Sequence, residues 1–163
     1  LSSSSAASDV YKRQGKDLGA PAYISELIDG RLPAYLIPAV VFVVGGIISF
    51  STGSSWGTYA ILIPLTIPIA HQFDAPMYVA IGAVLSGGLF GDHCSPISDT
   101  TILSATGAGC SQIDHVKTQI PYAMFNGSCS LISYVVAGIT GSIWALGLGM
   151  LSMLVGLMVL KKW

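Results

Sequence analysis

Two carboxylates, Asp92 and Asp99, lie in the run Gly91-Asp92-His93-Cys94-Ser95-Pro96-Ile97-Ser98-Asp99-Thr100-Thr101. Their surroundings make them chemically conspicuous. From Leu32 to Ile113 there is no Lys or Arg, and the other acid is Asp74. An ionised carboxylate in apolar surroundings is costly unless it is paired, solvated or bound to a cation. The sequence supplies no fixed cation here, so a permeating Na+ or a proton is the economical partner. Na+ is a hard ion and takes oxygen ligands. Oxygens are abundant in this run and in a second one, Ser51-Thr52-Gly53-Ser54-Ser55-Trp56-Gly57-Thr58. The expected ligands are therefore Asp99, Asp92, Ser98, Thr100, Thr101 and Ser95 from one run, and Thr52 and Ser55 from the other. Na+ is placed at Asp99 and Asp92. Asp99 ranks first, because Pro96 has already broken the helix and Asp99 then opens a second half-helix, where the positive dipole end favours an anion.

The bland readings carry different weights. Ser and Thr in membrane helices commonly bond back to their own backbone or join helices. An idle intramembrane Asp is much rarer. His93 reads as a hydrogen-bond partner orienting Asp92, or as a proton carrier. His93 beside Cys94 lacks the second ligand spacing that a structural metal needs. Trp56 reads as a packing or gating residue at the tip of its run. No metalloprotease, nucleophile-elbow, P-loop or dinucleotide motif is present, which argues against an enzyme and against a cofactor.

The elements that must hold these runs follow from composition. The chain has 163 residues, 52% hydrophobic and 9% charged, against about 25% charged in a soluble domain. Mean hydropathy is +0.70. A soluble enzyme and a nucleic-acid binder, which needs a basic face, are excluded. Residues 1–14 are polar, Ser-rich and aperiodic. They resemble a translated sequencing adapter and are expected to be a non-native or disordered leader. Residues 15–31 form an interfacial amphipathic segment. Residues 32–71 hold two apolar arms around the Ser/Thr/Gly tip. The return arm, Gly57 to His71, has 15 residues, about 22 Å of helix against a hydrocarbon core of about 30 Å. That predicts a re-entrant hairpin with its tip, residues 51–57, inside the membrane. Residues 75–112 read as a transmembrane helix broken at the Asp-bearing run, and 119–163 as two full transmembrane helices. Lys117, Lys161 and Lys162 against Lys16 and Arg31 favour a cytoplasmic C-terminus. The fold class expected is an all-α membrane protein. Discontinuous helices with a site at their breaks are the pattern of secondary transporters.

The runs Ser49 to Thr58 and Gly91 to Thr101 resemble the NhaC-type Na+/H+ antiporter family. So do Gly107-Ala108-Gly109-Cys110 and Asp114-His115-Val116-Lys117-Thr118-Gln119-Ile120-Pro121-Tyr122. The resemblance covers residues from about 15 to 160. It implies one half of an inverted-repeat transporter, here the C-terminal repeat, with the N-terminal repeat of the same protein as a missing partner. It also implies Na+, H+ and the lipid bilayer as partners, a homo-oligomer as one assembly, no nucleic acid, and a multi-pass place in the bacterial inner membrane. The activity implied is exchange of Na+ for H+; together with the residue chemistry this gives two ions competing for the carboxylates, while the hairpin and the broken helix move as a unit against a scaffold that includes the last two spans. The alternative is Na+-coupled exchange of small organic anions or amino acids, such as malate and lactate.

Overall fold

The long apolar runs become helices. The computed structural model describes residues 32–142 and 144–160, with 13, 17–19, 22–24 and 26 of the N-terminal segment. The leader (apart from 13), most of 15–31, and Lys161 and Lys162 lie outside the described residues. A 3-10 turn (Ala34–Leu36) leads into α1 (Ile37–Thr52), α2 (Ser55–Gln72), α3 (Met77–Cys94), α4 (Asp99–Ala108), α5 (Gln112–Thr140) and α6 (Trp144–Leu160). All regular elements among the described residues are helical, and the all-α class expected from the sequence is what the chain adopts. Two segments, Ala34–Thr52 and Gln112–Thr140, are long and apolar enough to cross a membrane by length and composition.

Local chemistry sets the boundaries. Pro38 falls in the first turn of α1, where its missing N–H is no loss. Gly53 ends the helix in the left-handed conformation, φ 66°, and its N–H reaches the Ser49 carbonyl. Ser54 then caps α2, its hydroxyl accepting the Gly57 N–H at 3.3 Å. That cap starts α2 at Ser55 rather than at Gly57. The return arm becomes 18 residues, about 27 Å. Arm length, the sequence argument for a re-entrant hairpin, therefore no longer separates a hairpin from a crossing.

Gly53 is also packed. A Cβ there would sit 2.9 Å from the Ile97 carbonyl oxygen. Gly53→Ala is expected to cost about 1–3 kcal/mol, from left-handed strain plus overlap. The check is the Tm of the full-length protein in detergent. An unchanged Tm would detach the tip from Ile97.

α3 is the central strut, packed on α1, α2 and α5. Its face toward α1 is made of small residues, Gly87, Gly88 and Gly91, opposite Gly45 and Gly46. This lets two helix backbones approach closely. Phe42 of α1 is 3% exposed. It stacks on Phe90 at 5.7 Å and tilts against Tyr134 at 5.4 Å. Near the start of α1, Ile37, Ile69, Ala70, Ala75 and Ala80 form a second apolar cluster.

α5 runs antiparallel to α3. Ascending its sequence, Gln119 meets His93, Gly127 meets Phe90, and Tyr134 meets Ser86. The first residue of α5, Gln112, reaches the Pro96 carbonyl with its side-chain amide. α4 has 10 residues, about 15 Å of helix. Were it collinear with α3, Gln112 would stand farther from Pro96 than a glutamine reaches. The interrupted helix is therefore bent at 95–98, and α4 leaves the α3 axis.

Candidate functional site

The last turn of α3 places Asp92 inside, 2% exposed. The helix stops there because Ser95 turns back, its N–H on the Asp92 carbonyl at 3.1 Å, and Pro96 has no N–H to continue. The ladder resumes when the Ile102 N–H reaches the Ser98 carbonyl at 3.0 Å. Ser98 occupies the N-cap of α4, yet its hydroxyl caps nothing. It donates instead to Asp92 Oδ1 at 2.9 Å. Thr100 donates to Asp92 Oδ2 at 2.8 Å.

The two hydroxyl oxygens also lie 2.7 Å from each other. Three short contacts close a ring of Asp92, Ser98 and Thr100. A ring of three hydrogen bonds needs three protons. The hydroxyls carry two, since each has one donor. An ionised Asp92 thus leaves two oxygens facing each other through lone pairs. A proton on Asp92 supplies the third hydrogen bond, and a cation near the hydroxyls relieves the same repulsion. Thr101, 2% exposed, lies one residue on. Its hydroxyl is buried with no hydrogen-bond partner among the described residues.

The break adjoins the turn between α1 and α2. Ser95 donates to the Phe50 carbonyl at 2.8 Å, and Ile97 backs onto Gly53. Below them Ser49 donates to the Gly88 carbonyl at 2.6 Å, and the Tyr59 hydroxyl to the Leu85 carbonyl at 3.0 Å. The two runs singled out in the sequence are thus brought together. The bonds that join them are not the expected ones. Thr52 donates back to Ile48 at 2.9 Å, in its own helix, and not to either acid. Ser55 is 9% exposed at the start of α2 and makes no hydrogen bond to Asp92 or Asp99.

Asp99 is exposed at the first position of α4, where Oδ1 accepts the Thr100 N–H at 2.8 Å. The structure therefore puts Asp92, not Asp99, at the centre of the hydroxyl cluster. His93 is also exposed and does not orient Asp92. Its ring Nδ1 lies 3.5 Å from Gln119 Nε2. Adjacent residues on a helix point about 100° apart, so burying Asp92 turns His93 outward. Trp56 is 82% exposed, edge-on to Tyr59 at 6.0 Å, and does not fill the tip. No group of His, Cys, Asp and Glu that could hold a resident metal occurs among the described residues.

Sequence reasoning passed over Gln112 and Gln119. Their seven-residue spacing is two helical turns, which sets both on one face. Ser111 and Asp114 mark the helix start ahead of them: Ser111 accepts the Asp114 N–H at 3.2 Å and donates to the Asp114 carboxylate at 2.6 Å.

Comparison with known proteins matches this chain to one family. The model of the Na+/H+ antiporter family matches residues 16–139, a stretch that includes the break, the tip and the facing part of α5. An uncharacterized protein of Haemophilus influenzae is 44% identical over 127 residues, covering 77% of this chain and 24% of its own. An uncharacterized Na+/H+ antiporter of the same organism is 33% identical over 107 residues, covering 66% of this chain and 23% of its own. An arginine/ornithine antiporter of Halobacterium salinarum is 35% identical over 109 residues, covering 64% and 22%. The chain thus spans about a quarter of the length of these curated relatives. No solved structure matches it. With the break, the tip and the family match in agreement, the chain belongs to the Na+/H+ antiporter family.

Proposed function

We propose that this chain carries half of the ion site of an integral membrane, multi-pass secondary transporter that exchanges Na+ for H+ across a bacterial inner membrane. The opposing repeat is supplied by the rest of a protein of the relatives' length. The observation that carries this reading is the ring of Asp92, Ser98 and Thr100, with three short contacts and only two hydroxyl protons. The ring is complete with a proton on Asp92. Na+ satisfies the same oxygens by a different route, taking the carboxylate and the hydroxyl lone pairs as ligands. Proton and Na+ therefore compete for one set of atoms. The two occupants use the same oxygens and exclude one another, so one leaves as the other arrives. Thr101 offers a further buried oxygen beside the ring, and Ser95 ties the break to the tip. Asp99, Thr52 and Ser55 belong to the outer part of the same region and are candidates for contact with the opposing repeat.

The test is proton flux in everted vesicles containing the full-length gene product. Adding Na+ to vesicles holding a respiration-driven pH gradient is expected to dissipate the gradient. A gradient untouched by Na+ between pH 6 and 9 would end the reading.

A second reading has its own support. Relatives matching at 35% and 32% identity are named as an arginine/ornithine antiporter and, in Bacillus subtilis, a malate-2H+/Na+-lactate antiporter. In proteoliposomes, labelled malate, lactate, arginine and ornithine decide between the two. Proton movement that requires one of them inside would replace bare Na+/H+ exchange with organic substrate exchange.

A further inference from the structure

The break is held from a side that the ion chemistry does not explain. Among the carbonyls of 95–98, that of Ser95 takes the Ser98 N–H at 3.4 Å, and that of Ser98 takes the Ile102 N–H at 3.0 Å. Pro96 lies between the two helices, so its carbonyl has no intrahelical partner. The Thr100 N–H, in the first turn of α4, goes to the Asp99 carboxylate at 2.8 Å. The donor that reaches Pro96 is the side-chain amide of Gln112.

Gln112 is well placed to hold it. It is the first residue of α5, and the reciprocal Ser111–Asp114 pair pins that helix start. Two turns later on the same face, Gln119 lies 3.5 Å from His93 in the last turn of α3. α5 thus touches both banks of the break, about 10 Å apart along its axis. Ser98 and Thr100, whose hydroxyls complete the Asp92 ring, follow Pro96 by two and four residues. Fixing the Pro96 carbonyl fixes where their hydroxyls fall.

We propose that Gln112 is a positioning residue for the Asp92 ring, acting through the Pro96 carbonyl as a hydrogen-bond donor. The proposal rests on the ion-site reading above for its transport consequence, and on geometry alone for its structural one. The donor is what matters, not the shape. Gln112→Glu keeps the shape and presents only acceptors to a carbonyl. Gln112→Lys changes the shape and keeps a donor of similar reach.

Two measurements on the full-length protein test it. Hydrogen exchange by mass spectrometry reads the backbone amides of 97–101, whether or not the protein transports. Gln112→Glu is expected to speed their exchange about fivefold, the size of one net hydrogen bond, and Gln112→Lys to leave it near wild type. Na+-dependent proton flux reads the site. Gln112→Glu is expected to raise the half-saturating Na+ concentration about fivefold with the maximal rate within about twofold, and Gln112→Lys to restore it. A purely structural role would lower the amount of protein or the maximal rate instead. Wild-type exchange of the 97–101 amides in Gln112→Glu overturns the clamp. An unchanged half-saturation with faster amide exchange overturns its role at the ring. A wild-type protein with no Na+-dependent flux ends the exchange reading alone, and the amide measurement then decides the clamp by itself.

Discussion

Asp92→Asn in the full-length protein is expected to abolish Na+-driven proton movement in everted vesicles, a fall of at least about 100-fold in initial rate. That factor corresponds to about 2.7 kcal/mol, within reach of one buried ionisable ligand whose charge-assisted hydrogen bonds are each worth about 1.5–3 kcal/mol. Asparagine has nearly the same shape. Its carbonyl still accepts from Ser98 or Thr100, so the chain folds and inserts. It has no site for a dissociable proton and no charge for Na+. The amide would also turn an NH2 group toward one hydroxyl of a ring that has acceptors to spare. Asp99→Asn is expected to leave the rate within about threefold, because Asp99 is exposed and its recorded bond is to the neighbouring Thr100 N–H. Blotting of membranes normalises both variants for protein level. Wild-type flux from well-expressed Asp92→Asn removes Asp92 from the site. Loss of flux in Asp99→Asn alone would return the first rank to Asp99.

The sequence ranks Asp99 ahead of Asp92, whereas the structure buries Asp92 among the hydroxyls and leaves Asp99 exposed. The helical class, the apolar runs and the break at Pro96 were legible because each has a local cause: composition, length, and a residue with no N–H. The nearness of the two polar runs was legible too, since both interrupt helices and leave backbone groups that need partners. The burial of Asp92 was not. A helix dipole, which is a local argument, favours Asp99. Asp92 is set apart by burial and by a serine that abandons its cap, and both depend on how α3 and α4 are bent against each other. Adjacency in sequence pairs His93 with Asp92, while helical geometry turns consecutive side chains apart. The partner it meets, Gln119, lies 26 positions away on an antiparallel helix. The sequence sets the return arm at 15 residues and the structure at 18; two of the three extra residues, Ser55 and Trp56, join the helix because Ser54 is its cap and not part of the tip.

Gly87→Val is expected to cause a large loss of folded protein. A Cβ on Gly87 would overlap the Phe42 carbonyl oxygen, and would lie 3.0 Å from the Phe42 carbonyl carbon and Cα. These are backbone atoms of α1, so no side-chain rotation relieves them. Phe42 is itself 3% exposed, and its ring is held by Phe90 and Tyr134. α1 must therefore move as a body. Overpacking of this kind costs about 1–3 kcal/mol where a core can adjust, and more where it meets backbone. Gly87→Ala should show the smaller loss and Gly87→Val the larger. The contrast is Gly107 on α4, where an added Cβ meets nothing within 4 Å. Gly107→Ala should be neutral, or gain up to about 1 kcal/mol of helix propensity. Size-exclusion profiles of the full-length protein in detergent, with Tm, read all three variants. A Gly87→Val protein with the wild-type profile and Tm would mean that α1 and α3 do not meet at Gly87. The Ser49–Gly88 and Ser95–Phe50 bonds, which depend on the same approach, would then fall with it, and the tip would lose its hold on the break.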